Sequence, residues 1–479
     1  MYLIDMSISL LYITKYFALA GYLIGLHSRE VPKTMKTRIS FATFLTLALL
    51  TAGYAQTLDK AKLDKFFDRL AEKNKAMGSL TIARDGKVLY TRAIGYSQIT
   101  ATEKKPITAA TRFRIGSITK MFTATMVLHL VDEKKLKLTD TLDKYFPRVP
   151  GANKITIAHV LSHRSGIHGI GGDPEYRSLR TKGATPAELL AMIEKSGTSD
   201  FEPGSKFVYT NENFLLMGLL VEKLTGKTYQ ENLTKMITSK IGLKDTYAAS
   251  GNPDPGKNES FSYRYGRDWD QDPDIHWSLF FGAGSITSTP NDLVKFITAL
   301  FDEKIISKQS LALMRTMKDD YGFGMDIVQF GGKTYYGHTG GAQSYGAWLA
   351  YLPEEKLALA YATNAKLYPV KNIISGIFDI YWNRPFQIPT FDTLEIRPEV
   401  LDRYVGVYST PGVPLTYTFT REGTTLFVQL PGGAPLRLEA TAEDKFKIDP
   451  PGIFFEFDAA KGQVTWKRGN GVRVFTKEK

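Results

Sequence analysis

The chain has 479 residues, 43% of them hydrophobic and 23% charged, which supplies apolar material for a large core and more than one domain. It contains no cysteine, which excludes disulfides, thiol catalysis and a lipid anchor at cysteine, although not export. The net charge of +12 comes from scattered lysine and arginine with no nucleic-acid-binding motif; a basic surface suits an anionic cell envelope, and nucleic acid is not an expected partner.

Met35, Lys36 and Arg38, the apolar run 39–50 and the ending Ala52-Gly-Tyr-Ala55 form the three parts of a secretory signal over residues 35–55. Cleavage after Ala55 leaves Gln56 first and gives an exported protein, periplasmic or extracellular. Residues 1–34 then read as an extension from a wrongly chosen upstream start. The alternative is a membrane anchor, although Lys15 breaks the apolar stretch 8–26, and membrane contact is expected only through this uncleaved segment.

Leu58, Leu63, Phe66, Phe67 and Leu70 mark an amphipathic helix, and Asp85-Gly86 between residues 80–83 and 88–94 marks a hairpin. Residues 111–114 alternate as a short extended entry, and Gly116 permits a sharp turn. Ile118, Met121, Phe122, Met126, Val127 and Leu130 then recur with helical spacing. Ser117 therefore stands at a helix N-terminus, with Lys120 one turn on and facing the same way. The N–H groups there favour negative charge, which suits an alkoxide or a tetrahedral oxyanion. A serine hydroxyl needs an adjacent base, and Lys120 is one only if its proton is lost or shared. An N-cap serine followed by a solvated lysine fits the same spacing.

His159, His163 and His168 are close enough to suggest zinc, but the glutamate of a His-Glu-x-x-His site is missing. The run 176–182 carries Arg177, Arg180 and Lys182, cations that either overhang a cleft or face solvent. Pro203-Gly-Ser205 marks a turn, and Phe207-Val-Tyr209 reads as extended. A helix with Phe214, Leu215, Leu216, Leu219, Leu220 and Leu224 follows from Asn211. Tyr209 and Asn211 thus stand at a junction where side chains can reach a cleft, and a phenol beside cations can serve as a base. A buried tyrosine beside an N-cap asparagine is the plainer reading.

Residues 263–277, rich in aromatics and aspartate, form a candidate lid. Strands are expected over 321–328, 333–337, 344–352 and 357–363, with a helix over 370–382. Between them, His338-Thr339-Gly340-Gly341 suggests an edge strand bordering the cleft, its glycines letting a substrate backbone approach. Residues 384–398 carry three prolines and no helical period, as a linker does. Alternating strands at 415–420, 425–430, 453–457, 463–467 and 472–475 then read as a small antiparallel barrel over 399–479.

Ser117-x-x-Lys120, Tyr209-x-Asn211 and His338-Thr-Gly340, in this order, resemble the signature of the serine β-lactamase-like hydrolases. That group includes class C β-lactamases, D-alanyl-D-alanine carboxypeptidases, D-aminopeptidases and esterases. Val160-Leu-Ser-His-Arg-Ser-Gly166, Gly282-Ala-Gly-Ser-Ile-Thr-Ser288 and Tyr321-Gly-Phe-Gly324 strengthen the likeness, which covers roughly residues 58–382. The resemblance implies an α+β, penicillin-recognising hydrolase domain over 56–383, an antiparallel sheet flanked by helices with a mostly helical subdomain. A lipocalin-like barrel would follow.

It implies further that Ser117 is the nucleophile, Lys120 its proton partner and Tyr209 the general base for acylation. Asn211 would bind the substrate amide or Lys120, and His338 would polarise Tyr209 or receive a substrate carboxylate. Thr339, Gly340 and Gly341 would line the substrate, with the Ser117 and Gly341 N–H groups as the oxyanion hole. Class C β-lactamases carry lysine where His338 stands, so a histidine titrating near neutrality is expected to shape the pH profile. No cofactor is expected. The implied activity is acyl-enzyme hydrolysis of D-amino-acid peptides, peptidoglycan fragments or small esters; β-lactamase activity, or a non-catalytic binding or sensing protein of the same fold, are the alternatives.

Overall fold

The computed structural model describes residues 58–478 apart from Thr198, Asp274, Pro450 and Pro451; the signal and extension read over residues 1–55 lie outside the described residues. Helix α1 (Lys60–Glu72) starts at Asp59, whose carboxylate accepts the Lys62 N–H at 2.9 Å. Its one apolar face buries Leu63, Phe66, Phe67 and Leu70. Strands β1 (Ala76–Arg84) and β2 (Lys87–Ile94) follow as the hairpin expected, turning at Asp85 and Gly86, both at positive φ. Helix α2 (Thr119–Asp132) is buried almost all round, as a central helix must be. Helices α3 (Asn211–Thr225) and α4 (Pro290–Phe301) pack around it in one apolar cluster.

The chain then returns to the sheet with β3 (Asp326–Phe330), β4 (Lys333–Ala342), β5 (Tyr345–Leu352) and β6 (Leu357–Lys366). The order is β3-β4-β5-β6-β1-β2, antiparallel throughout, so the first strands lie beside the last. Helix α5 (Val370–Tyr381) joins α1 on the outer face, and α2 and α4 cover the inner one. This is the α+β, penicillin-recognising arrangement expected, with helices on both faces of an antiparallel sheet.

Three expectations are corrected. Residues 321–325 are not strand: Gly322 and Gly324 bend the chain there, and a Cβ on Gly324 would meet Lys120 O at 2.7 Å. β4 is an edge only over its second half, because β3 pairs with residues 333–337 and stops short of His338. The candidate lid holds a fixed hairpin, Tyr263–Tyr265 against Trp269–Gln271. Tyr263 and Trp269 are buried beside Met77 and Phe113, which an opening segment could not afford.

Residues 384–397 have no regular structure but lie against the first domain, with Phe386, Ile388 and Phe391 packed on the α1–α5 cluster. A nine-stranded antiparallel sheet follows: β7 (Gly406–Ser409), β8 (Thr416–Glu422), β9 (Thr425–Gln429), β10 (Leu436–Arg437), β11 (Glu439–Ala442), β12 (Lys445–Ile448), β13 (Ile453–Asp458), β14 (Gln463–Arg468) and β15 (Gly471–Lys477). Its two end strands, β10 and β11, are consecutive in the chain, so the sheet curls into a nearly closed barrel. Tyr408, Phe419, Phe455, Phe457 and Phe475 fill its interior. Lys75 pairs with Glu439, and Arg267 with Glu422 at 2.7 Å, tying barrel to hydrolase domain.

Candidate active site

Ser117 lies in the tight turn Gly116–Ile118, which runs straight into α2. Lys120, on the first turn of that helix, is fully buried. Its Nζ donates to Ser117 Oγ at 3.0 Å, Asn211 Oδ1 at 2.9 Å and Ala283 O at 2.8 Å. Loss of hydration lowers its pKa to about 7, against the opposing pull of Glu212, so a large fraction is neutral at physiological pH. A neutral amine has two hydrogens and one lone pair. Asn211 Oδ1 and Ala283 O can only accept, so they take the hydrogens and leave the lone pair aimed at the Ser117 hydroxyl. The three contacts thereby orient Lys120 as a base.

Ala283 comes from the glycine-rich stretch 282–288, and it is held in place because Thr123 donates to Gly282 O at 2.6 Å. Asn211 is the first residue of α3. Glu212 beside it is buried, where it accepts the Ile170 N–H at 3.0 Å and binds the Thr210 hydroxyl.

Tyr209 shows two-fifths of its surface to the cleft while its hydroxyl end is enclosed. Enclosure raises its pKa above the ordinary value, and the hydrogen bond with Ser117 only partly offsets that. The expected base at neutral pH is therefore corrected: the nearby Lys120 charge, 4.8 Å from the ring, does not outweigh burial. Tyr209 stays protonated and suits proton donation. Its placement depends on His163, whose carbonyl accepts the Val208 N–H at 3.0 Å and whose Nδ1 accepts the Thr210 N–H at 3.2 Å. One residue thus clamps the chain on both sides of Tyr209. The rings of His163 and Tyr209 are 4.2 Å apart.

The three histidines whose spacing suggests zinc serve separate purposes. His159 caps its own short helix with Thr156, His163 clamps Tyr209, and His168 meets Asp200 at 2.9 Å. Among the described residues no group of three acidic or histidine side chains could hold a metal ion.

His338 is 4% exposed. Its Nδ1–H donates to Thr339 O, and its Nε2 lies 3.2 Å from the Tyr321 hydroxyl. Burial, reinforced by Lys120, lowers its pKa to about 3. The expected titration near neutrality is corrected accordingly: His338 is a neutral imidazole across the working range, and no charged receptor for a carboxylate. Tyr321, whose hydroxyl is likewise buried, and Asp326 lie behind it. Burial pushes the Asp326 carboxyl up to about 7.

The second half of β4 lies against the Ser117 turn, backbone to backbone. A Cβ on Gly340 would fall 1.9 Å from Ile115 O and 2.9 Å from Ser117 N, and one on Gly116 would fall 2.5 Å from Gly341 N. Only glycine permits this approach, which sets the Ser117 and Gly341 N–H groups beside one small space. Thr339 continues the same strand, so all eight expected site residues converge. His163, Tyr321, Glu212 and Ala283 join them unannounced. The signal for His163, Tyr321 and Ala283 is the Ser-His-Arg-Ser-Gly, Tyr-Gly-Phe-Gly and Gly-Ala-Gly-Ser stretches, which carry no chemistry of their own until folded; Glu212 lies in none of them.

The sequence model of the Beta-lactamase family matches residues 63–373. Penicillin-binding protein 4* of Bacillus subtilis (strain 168) is 25% identical over 445 residues, covering 85% of this chain and 96% of its own. Among solved structures, D-amino acid amidase from Ochrobactrum anthropi SV3 complexed with D-phenylalanine is 25% identical, with a TM-score of 0.58 over 68% of this chain and 99% of that one. The octameric penicillin-binding protein homologue from Pyrococcus abyssi is also 25% identical, with a TM-score of 0.60 over 88% of this chain and 100% of that one.

Proposed function

Because the chain belongs to the β-lactamase family of serine hydrolases, we propose that it cleaves amides and esters of D-amino acids through an acyl-enzyme on Ser117. The observation that carries this reading is Lys120, buried, its pKa lowered to about 7, and turned by Asn211 and Ala283 so that the lone pair of its neutral form meets Ser117. The D-configuration is supported by similarity to a D-amino acid amidase over nearly all of that enzyme's length.

Lys120 takes the Ser117 proton as Oγ attacks the scissile carbonyl, and the oxyanion forms against the Ser117 and Gly341 N–H groups. Such donors contribute about 2.7–4 kcal/mol each to transition-state stabilisation. Tyr209 then gives its phenolic proton to the leaving nitrogen as the C–N bond breaks. The Lys120 ammonium then returns a proton to Tyr209, so the phenolic proton ends on the leaving group, the one taken from Ser117 replaces it on Tyr209, and lysine is neutral again. Water repeats the sequence to free the acid. Asn211, holding Lys120 through Oδ1, has its Nδ2 to offer a substrate carbonyl.

The test compares N-acetyl-D-alanyl and N-acetyl-L-alanyl p-nitroanilide, with intact-mass detection of a benzylpenicillin adduct. A clear D preference, together with turnover and adduct both lost in Ser117→Ala, is the expected result. Equal rates for the two enantiomers, or turnover that survives the substitution, would refute the reading. Export follows from the signal read over 35–55; N-terminal sequencing that finds a start before Gln56 would count against it.

A further inference from the structure

Past Gly341, β4 enters its turn at Gln343 and Ser344, which form one wall of a cavity of about 660 Å³ between hydrolase domain and barrel. Lys366, at the end of β6, lines the same cavity, and the barrel closes it with Leu436, Arg437 and Glu439. Its volume suits a peptide-sized ligand. We propose that this cavity is an acyl-side subsite for substrates bearing a free carboxylate, selected by Lys366. The proposal rests on the D-amino-acyl hydrolase reading above and adds the substrate's chemical class.

Position is the first support. A Cβ on Gly341 would fall 3.3 Å from Lys366 Nζ, and one on its cross-strand partner Gly346 would fall 3.3 Å from Lys366 Cδ. The two glycines form a groove on the outer face of the sheet, opposite the face that meets Ser117, and along it the lysine stem reaches the unpaired edge of β4 beside Gly341.

Charge is the second. The carboxylates around the cavity are engaged: Glu439 with Lys75, Asp449 with Lys447, Glu72 with Arg69 at 3.8 Å, and Asp272 with Arg264 at 3.0 Å and the Ser344 N–H at 3.0 Å. Among the described residues Lys366 and Arg437 have no ion-pair partner within 4 Å. The Lys366 ammonium is partly desolvated, which lowers its pKa, with Asp272 opposing. A half-buried cation without a dedicated counter-ion is stabilised by any anion that enters.

Direction is the third. The leaving group must meet Tyr209, which lies on the His338 side, their ring centroids 6.2 Å apart. The acyl half therefore runs the other way along β4, toward Gln343 and the cavity.

The experiment measures kcat/KM of the purified protein for N-succinyl-D-alanyl and N-acetyl-D-alanyl p-nitroanilide, which differ by one carboxylate on the acyl side. Wild type is expected to favour the succinyl substrate about tenfold or more, the worth of one charge-assisted hydrogen bond. In Lys366→Met the ratio should fall to near one, and Lys366→Arg should restore part of it. A ratio is insensitive to loss of folded protein, so a destabilised variant still reports. Equal turnover of both substrates by wild type, or a preference that persists in Lys366→Met, overturns the subsite alone. Turnover of neither substrate removes the D-acyl reading and the subsite with it.

Discussion

Between about pH 7 and 10.5 the folded protein holds fewer protons at Lys120 than the unfolded chain does, because burial lowers the folded value and the unfolded one stays at 10.5. Stability rises with pH wherever the unfolded state binds more protons. The cost of enclosing an ammonium is therefore full below about 7 and gone above 10.5. The melting temperature of wild type relative to Lys120→Met should accordingly rise from pH 6 to pH 9; a difference that ignores pH, read by calorimetry, would mean that Lys120 is not desolvated. The same proton governs chemistry. The rate of Ser117 acylation should climb with pH and level off above about 7, as the amine becomes the base. His338 is neutral at every pH above about 3, so His338→Gln should leave the midpoint of that climb where it is, whatever it does to the rate. A midpoint that moves would hand the titration to His338.

The turn before α2 and the second half of β4 are two elements that function as one surface. Gly340→Ala would drive a methyl into Ile115 O and Ser117 N, so it should separate the oxyanion donors. A loss in kcat of about 10²–10³, the usual effect of one missing donor, is expected with the rest of the fold intact. Stopped-flow kinetics beside a melting curve would check it, and a variant with near-normal kcat would dissociate the glycine from the oxyanion hole. These elements also show how far sequence carries. Ser117, Lys120, Tyr209 and Asn211 are legible because a turn followed by helical spacing is local information. The proton states of Tyr209 and His338 are not, since they depend on burial by residues far away in the chain, such as Tyr321 and His163. Arg114 illustrates the same limit: it forms a buried ion pair with Glu259 at 2.8 Å just before Ser117, and no spacing rule joins those positions. In the barrel, β8, β9, β13, β14 and β15 can be read from alternation. β7, β10, β11 and β12 are two to four residues long, too short to display a period.

Across the whole molecule, the segment joining the domains is also a piece of the first one. Phe386 meets Phe66 edge-on at 5.0 Å, and Ile388 and Phe391 pack on the same cluster. A chain ending at Asp392 should therefore be more stable than one ending at Asn383, by roughly 1–2 kcal/mol for each half-buried apolar side chain retained. Urea midpoints would decide, and equal values would make residues 384–392 a passive tether. The sheet has a consequence of another kind. β1 lies between β2 and β6, pairing Ala76 with Lys366 and Arg84 with Leu357, so an early strand must wait for a late one. The strand that carries Gly341 reaches its place beside Ser117 in the same closing step. A growing chain thus carries Ser117 long before Gly341 can stand beside it, and the assembled site is among the last features the fold completes during synthesis.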